Sequence, residues 1–378
     1  MNTKIFAIAA VVILVGGVAA AVMLYNNEEE DSAISIVDGS GRTIKLDKAL
    51  GNVAVINSNL PKGLIMLGLD DNVKCYHSSK TFGMKCESDP EAKLGSYYSP
   101  SVEKLLAYKV DAVLCGVTSM TLTAAVAKSC EENGIKVIRL DCYGESLLDD
   151  LKKLSKLFGE PESAVKALDR YEKEFDDTMK AISNALSGKE KINYLYTYGQ
   201  LGTDGNGSVV NERSGLSEIM APYFLKNVTE YTDLAASVTG MSNAINDGTT
   251  EALQEVQDRI HCFAIRLNLD DDPVDGAESV FAKMVGAGKI VTSTAPAYTQ
   301  GKIYVVNTDL VSGLYGHIGI LLLVKYAYGV EVEGYGDINK VINDLQTWTG
   351  VDMIEDGEYI FFQFNSDGSH TDLVFAEP

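Results

Sequence analysis

Basic charge, tryptophan and histidine are scarce in this chain, and the residue patterns of the common catalysts are missing. Against 53 acidic residues stand 32 lysines and arginines, for a formal net charge of −21. No basic run and no basic patch interleaved with aromatics occurs, so a phosphate backbone would be repelled and nucleic acid is not an expected partner. There is no GxSxG elbow, no GxxxxGKS or GxxxxGKT phosphate loop, no strand-linked GxGxxG and no kinase motif set. The four histidines, His77, His261, His317 and His370, are scattered without HExxH spacing, and no CxxC pair exists. A resident metal or other cofactor is therefore not expected. No catalytic residue is assigned. An extracellular hydrolase stays as the alternative of a different class, because triads are defined by geometry and not by order.

What the chain does contain is apolar matter enough for two cores. Its 378 residues are 46% hydrophobic and 22% charged, a globular balance at a length of about two domains. The run from Ile5 to Tyr25 carries no charge, and as a helix it would reach about 32 Å, across a bilayer core of about 30 Å. It reads either as an uncleaved membrane anchor or as a signal peptide cut near Ala19–Ala21. Both readings export the rest, to the outer face of the cytoplasmic membrane or to a secreted or periplasmic state. In such a compartment the six cysteines could pair, and Cys75 with Cys86, flanking a short loop, is the first candidate bridge.

Beyond an acidic linker, Ile34 to Leu46 alternates around a Gly-rich turn as a hairpin does. Strand-like runs at Val53–Ile56, Ala112–Cys115 and Lys136–Leu140 then alternate with helical patterns, which predicts a largely parallel sheet covered on both faces. Residues Glu145 to Leu186 are helical throughout except at Gly159 and Pro161, and the βα rhythm restarts at Ile192–Tyr198, His261–Leu267, Ile303–Asn307 and Tyr359–Phe364. The expected organisation is a leader and linker at 1–32, an α/β lobe at 33–160, a bridging helix at 161–188 and a second α/β lobe at 189–378. Ligands of parallel α/β sheets bind beyond the C-terminal ends of the strands. That rule selects Asn57 and Ser58, Tyr76 and His77, Tyr97 and Tyr98, Thr118 and Tyr143 in the first lobe. In the second it selects Tyr198, Arg266, Tyr315 and His317. Tyrosine suits a cleft that grips a sizeable ligand, having a broad apolar face and a hydrogen-bonding tip.

Several of these segments resemble one family. The hairpin turn DGSGR with Asp38, Gly41 and Arg42, the LGL at Leu67–Leu69, and Lys93-Leu94-Gly95 leading into SPSVEKLLAYKVDAVL are similar to the class III solute-binding proteins of ABC importers. So are the bridging helix and Lys302–Asn307 followed by an apolar helix through Tyr328. Val110 stands where that family commonly has a proline before the aspartate. The resemblance implies two Rossmann-like lobes joined by a single long helix, with cargo in the cleft between them. It implies an iron chelate of siderophore type as cargo, or alternatively haem or a corrinoid such as cobalamin. For haem it brings forward Tyr315 with His317, or Tyr76 with His77, as axial ligands; for an anionic chelate it brings forward Arg213 and Arg266. The implied partners are an ABC permease and its ATPase subunits, met by one glutamate on each lobe, Glu103 and Glu251.

Overall fold

The computed structural model describes residues 34–77, 82–96, 98–117, 122–198, 208–210, 220–234, 242–244, 247–267, 278, 281–307, 310–311, 313–351, 359–365 and 367–375. The predicted anchor or signal segment lies outside the described residues. Within them, no helix is long and apolar enough to cross a membrane.

The hairpin forms as expected, β1 (Ile34–Val37) pairing antiparallel with β2 (Thr43–Leu46). Its turn is tied to the body of the lobe. One Asp38 carboxylate oxygen accepts from the Ser40 and Arg42 backbone N–H groups, and the Arg42 guanidinium donates to the Val137 carbonyl at 2.6 Å. Gly39 is obligatory here, since a Cβ would lie 2.4 Å from Val117 Cγ2.

Four parallel strands follow, β3 (Val53–Ile56), β4 (Val73–Tyr76), β5 (Ala112–Cys115) and β6 (Lys136–Arg139), in the order β4-β3-β5-β6. Every residue of β3 and β5 is buried, which is why these strands are unbroken apolar runs and do not alternate. Helices α1 (Leu60–Met66), α2 (Val102–Ala107) and α3 (Ala124–Glu132) make the crossovers, and α4 (Leu147–Leu157) closes the lobe. Leu105 of α2 and Cys130 of α3 cover one face of the sheet; Leu60, Leu64, Leu151 and Leu154 of α1 and α4 cover the other.

Helix α5 (Glu162–Ala185) bridges to the second sheet. Its 24 residues make a rod of about 36 Å. Its buried positions Ala164, Leu168, Tyr171, Thr178 and Ile182 repeat at helical spacing, so a single stripe faces inward. Both lobes hold this rod. Lys152 of α4 reaches Glu172 at 2.6 Å, while Thr178 Oγ1 and the Tyr335 hydroxyl lie 2.6 Å apart. The Trp348 indole N–H donates to Glu174 at 3.0 Å with the Arg170 guanidinium 4.3 Å above its ring.

The second sheet has seven strands: β7 (Tyr194–Tyr198), β8 (Ser208–Val210), β9 (Ser242–Ala244), β10 (Cys262–Leu267), β11 (Ile303–Asn307), β12 (Tyr359–Phe364) and β13 (His370–Phe375). Only β7, β10 and β11 pair in parallel; β8 and β12 join them antiparallel, and β9 and β13 pair antiparallel with those in turn, so this sheet is mixed where a largely parallel one was expected. Helices α6 (Asp247–Gln254), α7 (Gly316–Tyr328) and α8 (Ile338–Thr349) complete the lobe. Nearly all of α7 is buried, matching its all-round apolar sequence. It lies so close to the preceding segment that a Cβ on Gly319 would sit 2.2 Å from the Leu310 carbonyl oxygen.

The apolar interior has three parts. One face of each sheet packs on a core of its own, and the remaining faces of both share a continuous third core with α1, α4, α5, α7 and α8. All six cysteines are thiols, Cys75 and Cys86 included, which corrects the expected bridge. Burial pushes the Cys75 thiol up to about 11 and Cys86 to about 12, so both are weak nucleophiles.

Candidate ligand-binding site

Because the four strands of the first sheet run the same way, their C-terminal ends share one edge, and the loops leaving them stand side by side. After β3 comes Asn57, whose Oδ1 accepts from the Asn59 N–H at 2.6 Å. After β4 the His77 N–H donates to the Val55 carbonyl, and the ring Nδ1 lies 2.9 Å from the Leu94 carbonyl oxygen. A carbonyl can only accept, so Nδ1 carries the proton and Nε2 is the basic nitrogen. After β5 the Val117 N–H donates to Asp141 Oδ1 at 2.8 Å, and the Arg139 guanidinium holds the Gly116 carbonyl at 2.9 Å. Tyr98 joins this row, its carbonyl accepting from the Thr123 N–H.

The loop after β6 is the most heavily organised. Buried Asp150 accepts through Oδ2 from the backbone N–H groups of Asp141 and Cys142, each at 3.0 Å, and from the Ser146 hydroxyl at 2.9 Å. That grip holds Cys142 at φ +47°, a left-handed conformation costly for a residue with a Cβ. Burial raises the Asp141 carboxyl above its usual range, opposed by the Val117 N–H.

On the second sheet the corresponding edge places Arg266 in register with Tyr198 on one side and Val306 on the other, near the ends of the three parallel strands. Arg266 is half-buried. The lobes meet at the turn before α7. Gly313, at φ +61°, has room for no more than its hydrogens, since a Cβ would come within 3.0 Å of Asn59 Oδ1 and 3.3 Å of the Cys142 carbonyl. The Tyr171 hydroxyl of the bridging helix donates to the next carbonyl, that of Leu314.

Among the residues selected from the sequence, Ser58, His77, Tyr98 and Tyr143 line the first edge, with Tyr98 half exposed at 50%, and Arg266 and the backbone of Tyr198 lie on the second. Four others do different work. Asn57 is buried and caps its own loop, and Tyr76 is buried in β4. Tyr315 is sealed in the core with its hydroxyl 2.9 Å from Thr349 Oγ1. His317 is fully enclosed, its ring packed edge-on to Tyr171 at 5.7 Å and against Phe175 at 5.6 Å. These last two therefore present no surface to a ligand. Tyr97, Thr118 and Arg213 lie outside the described residues. Glu103 and Glu251 are both exposed on helices, Glu103 in the first turn of α2 but Glu251 in the second turn of α6, which begins at Asp247. The positioning residues Asp150, Arg139 and Gly313 were not anticipated. An acid in a first helical turn, a base closing an apolar run and one more loop glycine carry no distinctive sequence signal.

Two α/β lobes, a single bridging helix and facing sheet edges define the fold of the TroA-like periplasmic binding proteins. No protein-family model and no curated protein matches the sequence, but solved structures do. The TroA-like periplasmic binding protein FepB of Veillonella parvula superposes with a TM-score of 0.60 at 15% identity, over 88% of this chain and 100% of that one. A periplasmic haem-binding protein of Pseudomonas aeruginosa gives 0.56 at 17%, over 74% and 93%. CeuE of Helicobacter pylori, solved with Ni(II) bound, gives 0.57 at 14%, over 85% and 97%. The chain is similar to these binding proteins in fold across nearly their whole length.

Proposed function

We propose that this chain is the extracytoplasmic substrate-binding component of an ABC importer, capturing an iron chelate between its lobes and delivering it to a membrane permease without turnover. The observation that supports this reading most is the pairing of two strand-end edges across one bridging helix, in the fold of proteins described as haem-binding or as holding Ni(II). Tyr98 would supply an apolar wall with a hydrogen-bonding tip, Tyr143, whose hydroxyl is buried, an apolar face, and Arg266 the positive charge that an anionic chelate needs. Haem is the second reading, favoured by His77, whose basic Nε2 is the chemistry an axial ligand requires. Exposed Glu103 and Glu251 would meet basic groups of the permease, where charge sets orientation and encounter rate.

The test is a thermal-shift and absorbance screen against ferric siderophores, haemin and cobalamins. A true cargo at a hundred times its Kd stabilises the fold by about 2.7 kcal/mol and shifts the melting temperature by several degrees. Should no chelate or tetrapyrrole bind, the reading fails. Glu103→Arg with Glu251→Arg should leave cargo affinity unchanged while abolishing uptake in cells.

A further inference from the structure

A cavity of about 280 Å³ opens beside the bridging helix, where the loop after β6 runs into α4. Its walls come from three parts of the molecule: Gly144 and Glu145, directly after Tyr143, with Leu147 and Leu148 at the start of α4; Phe175 and Met179 on α5; and Pro222 with Tyr223 from the second lobe. The walls are almost wholly apolar. The Tyr223 hydroxyl is turned into the wall, 3.1 Å from Met179 Sδ, and Glu145, exposed, is the charged residue among those that line the space. The space is open to solvent on one side, so an occupant would be held by apolar contact on the others; an enclosed apolar cavity of about 150 Å³ takes up benzene.

We propose that this cavity is a second binding site, for a neutral apolar molecule of about the size of a fused pair of rings. Its volume admits more than one benzene-sized ring but falls short of the roughly 300–1,000 Å³ of a drug-sized ligand pocket. The Glu145 carboxylate and the net charge of −21 disfavour an anion, and no wall residue offers a partner to a cation's shell beyond that one carboxylate. An occupant touches both lobes and the rod between them, so it resists any change in their angle. Binding here and movement of the lobes are therefore linked.

Titration of the full chain with the neutral dye N-phenyl-1-naphthylamine tests this. Saturable fluorescence at one site per chain is expected, with at least a tenfold loss of affinity in Leu148→Trp, which fills the space from α4. Met179→Trp fills it from α5 and should do the same, so that failure of one variant to fold leaves the other to decide; melting curves identify the folded ones. No saturable signal, or dye binding that survives both fillings in folded protein, overturns the proposal. Strict competition between the dye and a chelate that binds the chain also overturns it, since the site would then belong to the cleft. If chelates do not bind at all, the proposed function fails while the dye titration still decides this site.

Discussion

The first lobe has a four-stranded sheet, all parallel, and the second a seven-stranded sheet in which only the three strands at its centre pair in parallel. A parallel sheet delivers every strand end to one edge, so the first lobe presents four adjacent chain exits, braced in turn by the Asn57 amide, the His77 imidazole, Asp141 with Arg139, and Asp150. In the second lobe three neighbouring strands end side by side at the facing edge, whereas β9 and β13, which run the same way, are each set apart from them by one reversed strand. The small sheet therefore concentrates ligand-facing loops, whereas the large one supplies bulk and half of the common core. What the two have in common is that each gives one face to itself and one to the other.

The strongest way to break that comparison is to cut into the common core. Leu151→Ala should cost about 2–5 kcal/mol and lower a single calorimetric transition for the whole chain. Leu105→Ala, in the core private to the first lobe, costs a similar amount but should loosen hydrogen exchange in that lobe first. Two separate transitions in the Leu151 variant would mean the lobes are energetically independent. Next, Gly319→Ala should destabilise by about 1–3 kcal/mol although alanine favours helices, because the added methyl meets the Leu310 backbone; chemical denaturation reads it directly.

His317 sharpens the comparison through pH. Burial pushes its pKa down to about 3 from 6.5, opposed only by the Leu314 backbone carbonyl. Above pH 6.5 the ring is neutral folded or unfolded, and stability is unaffected. As pH falls below that value the unfolded chain takes a proton that the folded chain refuses, at a cost of up to about 1.4 kcal/mol per pH unit until about pH 3. His317→Phe keeps the ring packing with Tyr171 and Phe175 and should flatten this slope, measured by urea denaturation on either side of pH 6.5. The smallest effect belongs to the surface. Lys152→Ala removes an ion pair between α4 and α5 with a half-exposed lysine and should cost only a few tenths of a kcal/mol, less still in high salt.

The strands most plainly legible in the sequence are those buried on both faces, beside the alternating hairpin β1–β2 and the apolar edge strand β6. VAVI, AVLC and IYVVN are continuous apolar runs, and the structure places strands on each. VKCY of β4 and HTDLVF of β13 were missed because they are edge strands whose polar residues face outward, and three-residue β8 and β9 are too short to show a period. The bridging helix, expected at 161–188, was legible to within one residue at its start and three at its end, its stripe being uninterrupted over 24 residues. The site was harder. Tyr315 and His317 follow a strand as ligand residues do, yet the left-handed turn at Gly313 sends the chain back into the interior, and no local pattern distinguishes that path from an open loop.

The common core also bears on any attempt to divide the chain. A fragment ending before Glu162 would expose Leu60, Leu64, Leu151 and Leu154 to water, and a fragment starting after the rod would strip the cover from α7. Neither half is a soluble unit, and co-expression of the two should rescue both by reassembly along that greasy seam.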